Sequence, residues 1–426
     1  TCGKCVPCRD GLPLVARLMQ KVLDGCATEK TLANIKMMAT MIRDSADCAI
    51  GWNAADEVLK GLELFADEYK SHIENQRCLD CVGQKIPCVS LCPAHVDIPG
   101  YIALVGNEDY AGAINLIRRD NPFPTACAMV CEHPCEERCR RKMLESPINI
   151  RALKKYAVDM MPADTVKTPA PNPSTGKSIG IIGGGPSGLT AAYFLALMGH
   201  KAVVYESHDK LGGMLRYGIP NYRFPKDRLD EDIRAILGAG DIEVVYNTTV
   251  GKDISIEEVQ KKHDAMYVAI GAQTGKTLNI PGADAKNVVS AVEILDEIGN
   301  GHLPDYTGKK VLVIGGGNVA MDCARSAVRC NAEEVSIVYR RRQKDMTALE
   351  SEVESAVMEG IALVTLQSPV EIKKDAEGNC VSLVTQPQMI SAYRGDRPAP
   401  KDANKPQQEF PADVIMIAVG QDIVSA

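Results

Sequence analysis

Cysteine is the residue type that stands out in this sequence, both in number and in spacing. Of the 16 cysteines, all but three precede residue 140. Three of them, Cys2, Cys5 and Cys8, are separated from one another by two intervening residues and therefore lie within one loop. Thiolates at such intervals can wrap an iron–sulfur cubane, and Cys48, beyond a helical stretch, is the candidate fourth ligand. Zinc also accepts four thiolates at these spacings, so the residues alone leave both metals open.

A second group of eight cysteines lies between residues 77 and 140. Its members form two runs at short intervals: Cys78, Cys81, Cys88 and Cys92, then Cys127, Cys131, Cys135 and Cys139. Eight thiolates suffice for two 4Fe–4S clusters, and a Cys-Pro ending is typical of ferredoxin loops whose last cysteine serves the other cluster. The spacing does not decide how the ligands are divided. The other cysteines stand alone and are interpreted as small buried hydrophobic side chains, namely Cys26, Cys323, Cys330 and Cys380.

Two glycine-rich turns form the next chemical signal. The first reads G-x-G-x-x-G from Gly183 to Gly188, after an apolar strand and before a helix. The amides of such a turn approach a pyrophosphate at the helix N-terminus, where the dipole favours negative charge. Glu206 closes the next strand, where a carboxylate accepts ribose hydroxyls. The candidate binding residues of this turn are Gly183, Gly185, Pro186, Ser187, Gly188 and Glu206.

The second turn has alanine in its last place, which is an allowed variant. Its candidate residues are Gly315, Gly317, Asn318, Val319 and Ala320. At the position that matches Glu206 stands Arg340, followed by Arg341 and Arg342. A carboxylate there would repel a 2′-phosphate, whereas guanidinium groups bind it through forked, charge-assisted hydrogen bonds. The second site is therefore predicted to bind NADP(H) through Arg340 and Arg341; the alternative is a solvated basic stretch.

The elements around these motifs predict an α/β protein with helical iron–sulfur domains followed by two Rossmann-like dinucleotide-binding domains. Apolar spacing is helical from residue 12 to 72 and again between 77 and 159. The proline-rich stretch 162–177 predicts a linker. Beyond it, strands are expected at 178–182 and 201–205 around a helix. The same scheme recurs at 310–314 and 335–339, which indicates a duplicated nucleotide-binding fold.

Composition excludes several classes of function. The 426 residues include 48 basic and 55 acidic side chains, a net charge of −7, so no pull toward nucleic acid is expected. Ser178 to Gly199 is uncharged and about as long as a membrane span, but its early glycines favour a strand, a turn and a helix. No membrane insertion is expected. The sequence begins inside a cysteine motif without an initiator Met, so we expect it to be part of a longer polypeptide.

From residue 77 onward the sequence resembles the small subunit of glutamate synthase and the large subunit of NADH-dependent ferredoxin:NADP oxidoreductase. The matching motifs are Cys78-Leu79-Asp80-Cys81, Cys92-Pro93, residues 130–136, both glycine turns, Leu211-Gly212-Gly213 and Tyr217-Gly218-Ile219-Pro220. The resemblance implies FAD at the first turn, with Gly212 and Gly213 contributing, and NADPH at the second. It also implies two clusters, one held by Cys78, Cys81, Cys88 and Cys139 and the other by Cys92, Cys127, Cys131 and Cys135. In some members of this family a side-chain carboxylate completes one of the clusters, whereas Cys127 offers a further thiolate in this sequence.

Residues 1–73 are similar to the C-terminal cluster domain of the NADH-oxidising flavoprotein subunit of complex I and of bifurcating hydrogenases. The likeness is carried by residues 1–9 and by Cys48-Ala49-Ile50-Gly51. It implies a third 4Fe–4S cluster, and in those proteins an FMN and NADH domain precedes this segment. The predicted domains are 1–75 with one cluster, 76–161 with two clusters, a linker 162–177, an FAD-binding domain 178–306 continued by 411–426, and an NADPH-binding domain 307–410.

Together these features predict an iron–sulfur flavoprotein that exchanges hydride between NADP(H) and FAD and single electrons with three 4Fe–4S clusters. The leading hypothesis is a subunit of an electron-bifurcating transhydrogenase that couples NADH, NADP and ferredoxin. The alternatives are an NADPH-linked input subunit of a hydrogenase or formate dehydrogenase, a glutamate synthase partner, and a cluster scaffold with a vestigial flavin site. Expected partners are other redox subunits, including a complex-I-like NADH/FMN module, and ferredoxin indirectly. Unpaired thiols and clusters fit a reducing cytoplasm.

Overall fold

The computed structural model describes residues 4–23, 27–75, 86–394 and 397–423. The chain divides into two compact units, Thr1–Ile86 and Pro87–Ala426. Cys2, Cys78 and Cys81, which the sequence predicts as cluster ligands, lie outside the described residues, as does Cys26. No helix among the residues that the structure describes has both the length and the apolar character needed to cross a membrane.

The first unit is helical, as its apolar spacing predicts. A π-helical turn at Pro7–Gly11 leads into four helices: α1 Leu12–Leu23, α2 Glu29–Ser45, α3 Ala49–Leu64 and α4 Ala66–Asn75. The core lies between their apolar faces, with Val15 of α1, Ile35 and Ile42 of α2 and Ala55 of α3 fully or almost fully buried.

The second unit begins with six short helices around a core of their own. They are α5 Pro87–Leu91, α6 Ile98–Gly106, α7 Tyr110–Arg118, α8 Pro124–Val130, α9 Pro134–Glu137 and α10 Ile150–Met160. Asp97 and Asp109 start α6 and α7 by accepting hydrogen bonds from Gly100 N (3.0 Å) and Gly112 N (2.8 Å). Such caps satisfy N–H groups that a helix leaves without partners at its first turn.

A four-stranded parallel sheet follows, which we call the first dinucleotide fold. Its strands are β1 Ser178–Ile182, β2 Lys201–Tyr205, β3 Ile242–Val245 and β4 Ala265–Val268. Their order is β3-β2-β1-β4. The accompanying helices are α11 Pro186–Leu197, α12 Met214–Tyr217, α13 Lys226–Leu237 and α14 Ile256–Lys262. The two predicted strands and the helix between them are confirmed.

The rest of the chain builds a five-stranded parallel sheet, the second dinucleotide fold, with an antiparallel sheet beside it. The strands are β5 Thr274–Gly275, β6 Val288–Ser290, β7 Lys310–Ile314, β8 Glu334–Tyr339, β9 Ala362–Thr365, β10 Gln367–Lys374, β11 Cys380–Arg394, β12 Arg397–Asp402, β13 Gln408–Pro411, β14 Val414–Ile417 and β15 Gln421–Asp422. The helices are α15 Ala291–Gly299, α16 Asn318–Arg329 and α17 Glu350–Met358. The parallel sheet has the order β6-β14-β7-β8-β9. The predicted α/β class is confirmed.

The observed pairing of the strands differs from the predicted domain division. The segments 178–306 and 411–426 were expected to lie together, yet β6 and β14 pair with the second sheet. The reason is burial: all four residues of β14 are buried, and Val414 and Met416 pack in the core of the second fold. Beyond β14 the chain leaves the second sheet, and β15 pairs with β5, which lies in the segment 178–306.

The predicted boundary at residues 162–177 also differs, because its first part is packed rather than extended in solvent. Ala163 and Val166 are buried, and the buried guanidinium of Arg118 donates hydrogen bonds to the carbonyl oxygens of both residues. The helices α5 to α10 therefore form one compact unit with the dinucleotide folds. These hydrogen bonds hold the segment, which includes a short 3-10 helix at Ala163–Thr165, against the helices.

The two dinucleotide folds are joined by a buried network of charges. Arg223, which follows α12, donates two hydrogen bonds to Asp322 of α16, at 2.9 and 2.8 Å. Arg223 also lies 3.3 Å from Glu352 of α17, and the ring of Tyr222 lies 3.9 Å from the guanidinium of Arg329. Removing one partner of a buried ion pair is costly, so this network fixes the second fold relative to the first.

Candidate dinucleotide and iron–sulfur sites

The first glycine turn links β1 to α11 in a very tight space. Gly183 has a φ of +105°, a conformation that favours glycine, and α11 begins at Pro186. A Cβ atom on Gly188 would overlap the carbonyl oxygen of Gly183. The absence of both side chains therefore lets the helix start directly against the strand, with its first N–H groups open to an anion.

A second pair of glycines lies against this turn. Gly212 N donates a 2.9 Å hydrogen bond to the carbonyl oxygen of Gly184. Gly213 has a φ of +49°, and a Cβ atom on it would lie 2.8 Å from the Cα of Gly185. The structure thus brings together two motifs that the sequence separates by more than 20 residues. Side chains at these positions would fill the cradle in which a pyrophosphate is expected, so the residues present fit a bound dinucleotide.

Glu206 lies directly beneath the turn. Its side chain is buried and accepts hydrogen bonds from Gly184 N (2.8 Å) and from His208 N and Nδ1 (both 2.9 Å). Burial raises the pKa of this carboxyl, but the hydrogen bonds from His208 and Gly184 outweigh it and leave the pKa below its usual value. Glu206 is therefore an ionised acceptor at neutral pH, as ribose binding requires. Ser187 is exposed at the turn and its hydroxyl lies 2.9 Å from Tyr267 Oη.

The second glycine turn repeats this geometry between β7 and α16. A Cβ atom on Gly315 would overlap the carbonyl oxygen of Ala418, and Gly317 is the N-cap of α16. Asn318 opens the helix, and its Oδ1 accepts a 3.0 Å hydrogen bond from Leu349 N. Val319 lines the turn, whereas Ala320 is fully buried in the core. Alanine is accommodated here at the position where the first fold has Gly188.

A cavity of about 780 Å³ lies at this second turn. Its volume is in the range of known cofactor sites. Its walls include the glycine turn, Arg340 and Arg341. Arg340 is exposed, and Arg341 Nε donates a 2.9 Å hydrogen bond to Pro398 O. Arg342 instead pairs with Asp345 at 2.6 Å. The two arginines favoured by the sequence therefore face the cavity.

Glu132 is a residue of this cavity that sequence reasoning missed. It lies between Cys131 and Cys135, yet it lines the second nucleotide cavity and accepts a 2.9 Å hydrogen bond from Asn318 Nδ2. The two residues are 186 positions apart. No local signal in the sequence pairs them, because the contact depends on how α8 and α9 pack. The cysteine loop and the second nucleotide site are thus in direct contact.

Four predicted ligands form what we call the Cys92 set: Cys92, Cys127, Cys131 and Cys135. Cys127 lies in α8, Cys131 directly follows that helix, and Cys135 lies in α9 and shares a core with Cys92. Burial, together with the nearby Cys131 and Cys92, raises the pKa of Cys135 to about 11. Two N–H groups point at sulfur: Asn121 Nδ2 lies 3.0 Å from Cys127 Sγ, and His133 N lies 3.3 Å from Cys131 Sγ. Such donors stabilise thiolates.

The other set assigned by resemblance, the Cys88 set, consists of Cys78, Cys81, Cys88 and Cys139. Burial raises the pKa of the Cys88 thiol and the nearby Cys139 adds to it, so these two side chains are neighbours. Backbone hydrogen bonds hold the pKa of Cys139 below its usual value, which favours a thiolate. The remaining two members lie outside the described residues.

In the first unit, the loop with Cys5 and Cys8 meets the start of α3. Cys8 is buried, and Cys48 is the N-cap of α3. A Cβ atom on Gly51 would lie 3.8 Å from the Cβ of Cys8, so the two motifs touch. Among the residues that the structure describes, no three His, Cys, Asp or Glu side chains are grouped so that they could hold a single metal ion. Cys323, Cys330 and Cys380 are buried in apolar cores.

Comparison with known proteins places these sites in a family. Residues 177–425 match the family model described as pyridine nucleotide-disulphide oxidoreductase, which covers more than half of the chain. The chain belongs to this family. Residues 56–166 match the model for dihydropyrimidine dehydrogenase domain II with a 4Fe–4S cluster, and residues 1–72 match the model for the NADH-ubiquinone oxidoreductase-F iron–sulfur binding region. The resemblance of the N-terminal segment to the complex I flavoprotein is confirmed.

Relatives of this family member match most of the chain. It is 35% identical to the NADPH-Fe(3+) oxidoreductase subunit beta of Geobacter sulfurreducens over 99% of the chain and 64% of that protein. It is 31% identical to the NADP(+)-dependent formate dehydrogenase subunit beta of Moorella thermoacetica, over 99% of the chain and 69% of that protein. The small chain of glutamate synthase [NADPH] from Azospirillum brasilense is 32% identical over 72% of the chain and 66% of its own length. The predicted likeness to glutamate synthase is confirmed.

A solved structure has the same fold. Mycobacterium tuberculosis FprA in complex with NADPH covers 60% of the chain and 72% of its own length, with 22% identity and a TM-score of 0.52. The chain is therefore a member of the pyridine nucleotide-disulphide oxidoreductase family that also carries two iron–sulfur segments. Its cofactors are FAD, NADP(H) and 4Fe–4S clusters, as predicted.

Proposed function

We propose that this family member is the NADP(H)-reacting electron-transfer subunit of a larger redox complex. The observation that carries the proposal is the position of α8. This helix bears Cys127 and ends at Cys131, and its first N–H groups are bound by Asp232 of α13, in the first dinucleotide fold. A cluster at the Cys92 set would lie beside the flavin fold, within one compact unit.

Each nucleotide site contributes binding and orientation rather than acid–base chemistry. Gly183 to Gly188, with Gly212 and Gly213, bind the FAD pyrophosphate, and Glu206 binds its ribose. Gly315, Gly317 and the start of α16 at Asn318 bind NADP(H), and Arg340 and Arg341 bind its 2′-phosphate. Bound FAD would supply the conversion between two-electron hydride transfer and the one-electron steps that clusters accept. No catalytic acid or base is assigned.

The packing suggests an order for the cysteine sets. Cys127 of the Cys92 set lies in α8, which packs against α13 of the first dinucleotide fold, whereas Cys88 lies in α5, which packs against α9. We therefore propose that the Cys92 set exchanges electrons with the flavin and the Cys88 set follows. Cys2, Cys5, Cys8 and Cys48 hold a third cluster in the first unit. The proposed clusters, and the twelve described cysteines that form no disulfide, favour a reducing compartment.

Anaerobic purification of the chain tests this proposal. The protein is expected to contain FAD and about twelve iron atoms, four for each cluster. NADPH should bleach the flavin and then the clusters. Cys135→Ser is expected to lose about a third of the iron and to interrupt cluster reduction, while NADPH still bleaches the flavin. A colourless protein with zinc instead of iron would contradict the proposal.

The identity of the complex has two candidates. Relatives that match 99% of the chain, including its iron–sulfur segments, are beta subunits of an NADPH-Fe(3+) oxidoreductase and a formate dehydrogenase. This favours an NADPH-linked electron-transfer arm for a separate catalytic subunit. The match of residues 1–72 to a complex I segment favours the second candidate, a bifurcating transhydrogenase with an NADH/FMN module and ferredoxin as acceptor. Formate- or hydrogen-dependent NADP reduction in the purified complex supports the first, and NADPH-dependent coupling of NADH and ferredoxin supports the second.

Replacing Arg340 by Ala is expected to raise the KM for NADPH about 10- to 100-fold and to leave the KM for NADH nearly unchanged. The reason is the loss of a charge-assisted hydrogen bond to the 2′-phosphate, which contributes about 1.5–3 kcal/mol. Steady-state reduction of an artificial acceptor measures both constants. Arg342→Ala is the matched control, because Arg342 pairs with Asp345 rather than facing the cavity. Equal increases in the KM values for NADPH and NADH in Arg340→Ala would contradict a phosphate-binding role.

A further inference from the structure

A lysine lies on the buried face of α10, close to the Cys92 set. Lys154 is only 8% exposed and shares this face with Ile150, Ala157 and Val158, which are all buried. Its neighbour Lys155 is exposed and pairs with Asp159. Burying an ammonium group is costly unless an opposite charge compensates for it. We therefore expect an anion next to Lys154 on the buried side of α10.

Among the residues that the structure describes, no carboxylate lies within ion-pair distance of Lys154 to supply that anion. The ammonium nitrogen lies 5.6 Å from the ring centre of Tyr101, which is fully buried in the same core as Cys135 and packs with Cys88 and Cys92. A cation–π contact compensates for only a part of the lost hydration.

The helix with Lys154 packs against the elements that carry the Cys92 set. Helix α10 contacts α8, which bears Cys127. Tyr101, whose ring the ammonium group contacts, lies in one core with Cys135 and Cys92. Asn121 and His133 also direct N–H groups at sulfurs of this set. Positive charge and hydrogen-bond donors thus converge on one group of thiols.

We infer that Lys154 is the buried counter-cation of the cluster in the Cys92 set and raises the reduction potential of that cluster. The inference rests on the proposed function, which assigns a cluster to these cysteines. A 4Fe–4S cluster with four thiolates is an anion, and its reduction adds one electron and one further negative charge. A fixed cation in a poorly solvated site stabilises the reduced form more than the oxidised form. Lys154 therefore favours electron transfer to the cluster nearest the flavin fold.

The experiment is a redox titration of the intact, anaerobically purified chain, followed by electron paramagnetic resonance. Lys154→Met and Lys154→Gln remove the charge, and Lys154→Arg keeps it. Lys155→Met removes the same charge from the exposed side of the same helix and is the matched control. The cluster under test is identified as the one whose signal disappears in Cys135→Ser. Iron content is measured for every variant.

Both neutral variants are expected to keep their iron and to show at least a tenfold less favourable reduction of this one cluster, a shift of about 59 mV to lower potential. Lys154→Arg should restore the wild-type value and Lys155→Met should leave it unchanged. Full iron content with an unshifted potential in the neutral variants would overturn the inference and leave the proposed function intact. A shift of equal size in Lys155→Met would also overturn it. Iron loss in both neutral variants, with retention in Lys154→Arg, would also overturn the inference. Lys154 would then serve cluster assembly rather than set the reduction potential. Absence of any cluster in the wild type would instead refute the proposed function.

Discussion

Replacing Asp232 by Ala is expected to lower the free energy of unfolding by about 3 kcal/mol and to release the iron of the Cys92 set. Asp232 is completely buried and accepts hydrogen bonds from Thr125 N (3.2 Å) and Ala126 N (2.8 Å), at the start of the helix that carries Cys127. Alanine leaves both N–H groups buried without an acceptor. It also removes a negative charge near the buried guanidinium of Arg118.

Urea unfolding followed by circular dichroism, together with iron analysis, measures both effects. The loss of iron is expected to be selective: the clusters of the Cys88 set and of the first unit should remain, because α8 carries no ligand of either. Asp232→Asn is the matched control, since its amide oxygen still accepts one of the two hydrogen bonds and its cost should be smaller. Unchanged stability and iron content in Asp232→Ala would show that this contact does not hold the cysteine helix.

The same carboxyl gives a pH dependence with a definite sign. Burial raises the pKa of Asp232 to about 7, in spite of the hydrogen bonds from Ala126 and Thr125, from an ordinary value of 3.8. Between these values the folded protein retains a proton that the unfolded chain releases. The contribution of this group to stability therefore falls as the pH rises toward 7, by about 1.4 kcal/mol per pH unit at most. In Asp232→Asn this slope should be absent, so unfolding curves of the two proteins at pH 5.5 to 7.5, about two pH units, test it.

Replacing Gly188 by Ala is expected to weaken FAD binding about 100-fold and to destabilise the first dinucleotide fold by about 1–3 kcal/mol. The added methyl group would overlap the carbonyl oxygen of Gly183, which is backbone and cannot rotate away. The helix α11 must then move from β1, and the turn that binds the pyrophosphate opens. Flavin content after gel filtration and thermal unfolding of the purified protein measure the two effects.

Gly106→Ala is the matched control for this change. Gly106 is the last residue of α6, and no atom lies within 4 Å of the place where its Cβ would be. The same methyl group should therefore be tolerated there without loss of flavin. In the second fold, Ala320→Gly should cost about 1 kcal/mol of helix stability and preserve NADP(H) binding. Wild-type flavin content in Gly188→Ala would mean that the first turn does not require so close an approach.

The sequence by itself determined the features that depend on neighbouring residues. The strands β1, β2 and β7 have the predicted bounds, and both glycine turns stand between a strand and a helix, because a βα turn is a local structure with a fixed backbone requirement. The same holds for Arg340 and Arg341, whose place after β8 follows from the repeat. Cysteine spacing likewise indicated iron–sulfur chemistry, since ligands of one loop must lie close together.

Only the tertiary structure decided what depends on packing between distant segments. It assigned β6 and β14 to the second sheet, because β14 is buried on both faces in the core of that fold and β6 pairs with β14. It also placed Glu132 in the second nucleotide cavity, Asp232 beneath the cysteine helix and Lys154 beside the thiols. In the sequence these three appear as ordinary charged residues of helices and loops. Glu132 has its role through its contact with Asn318. Asp232 and Lys154 have theirs through burial, because a charge interacts more strongly where water does not screen it.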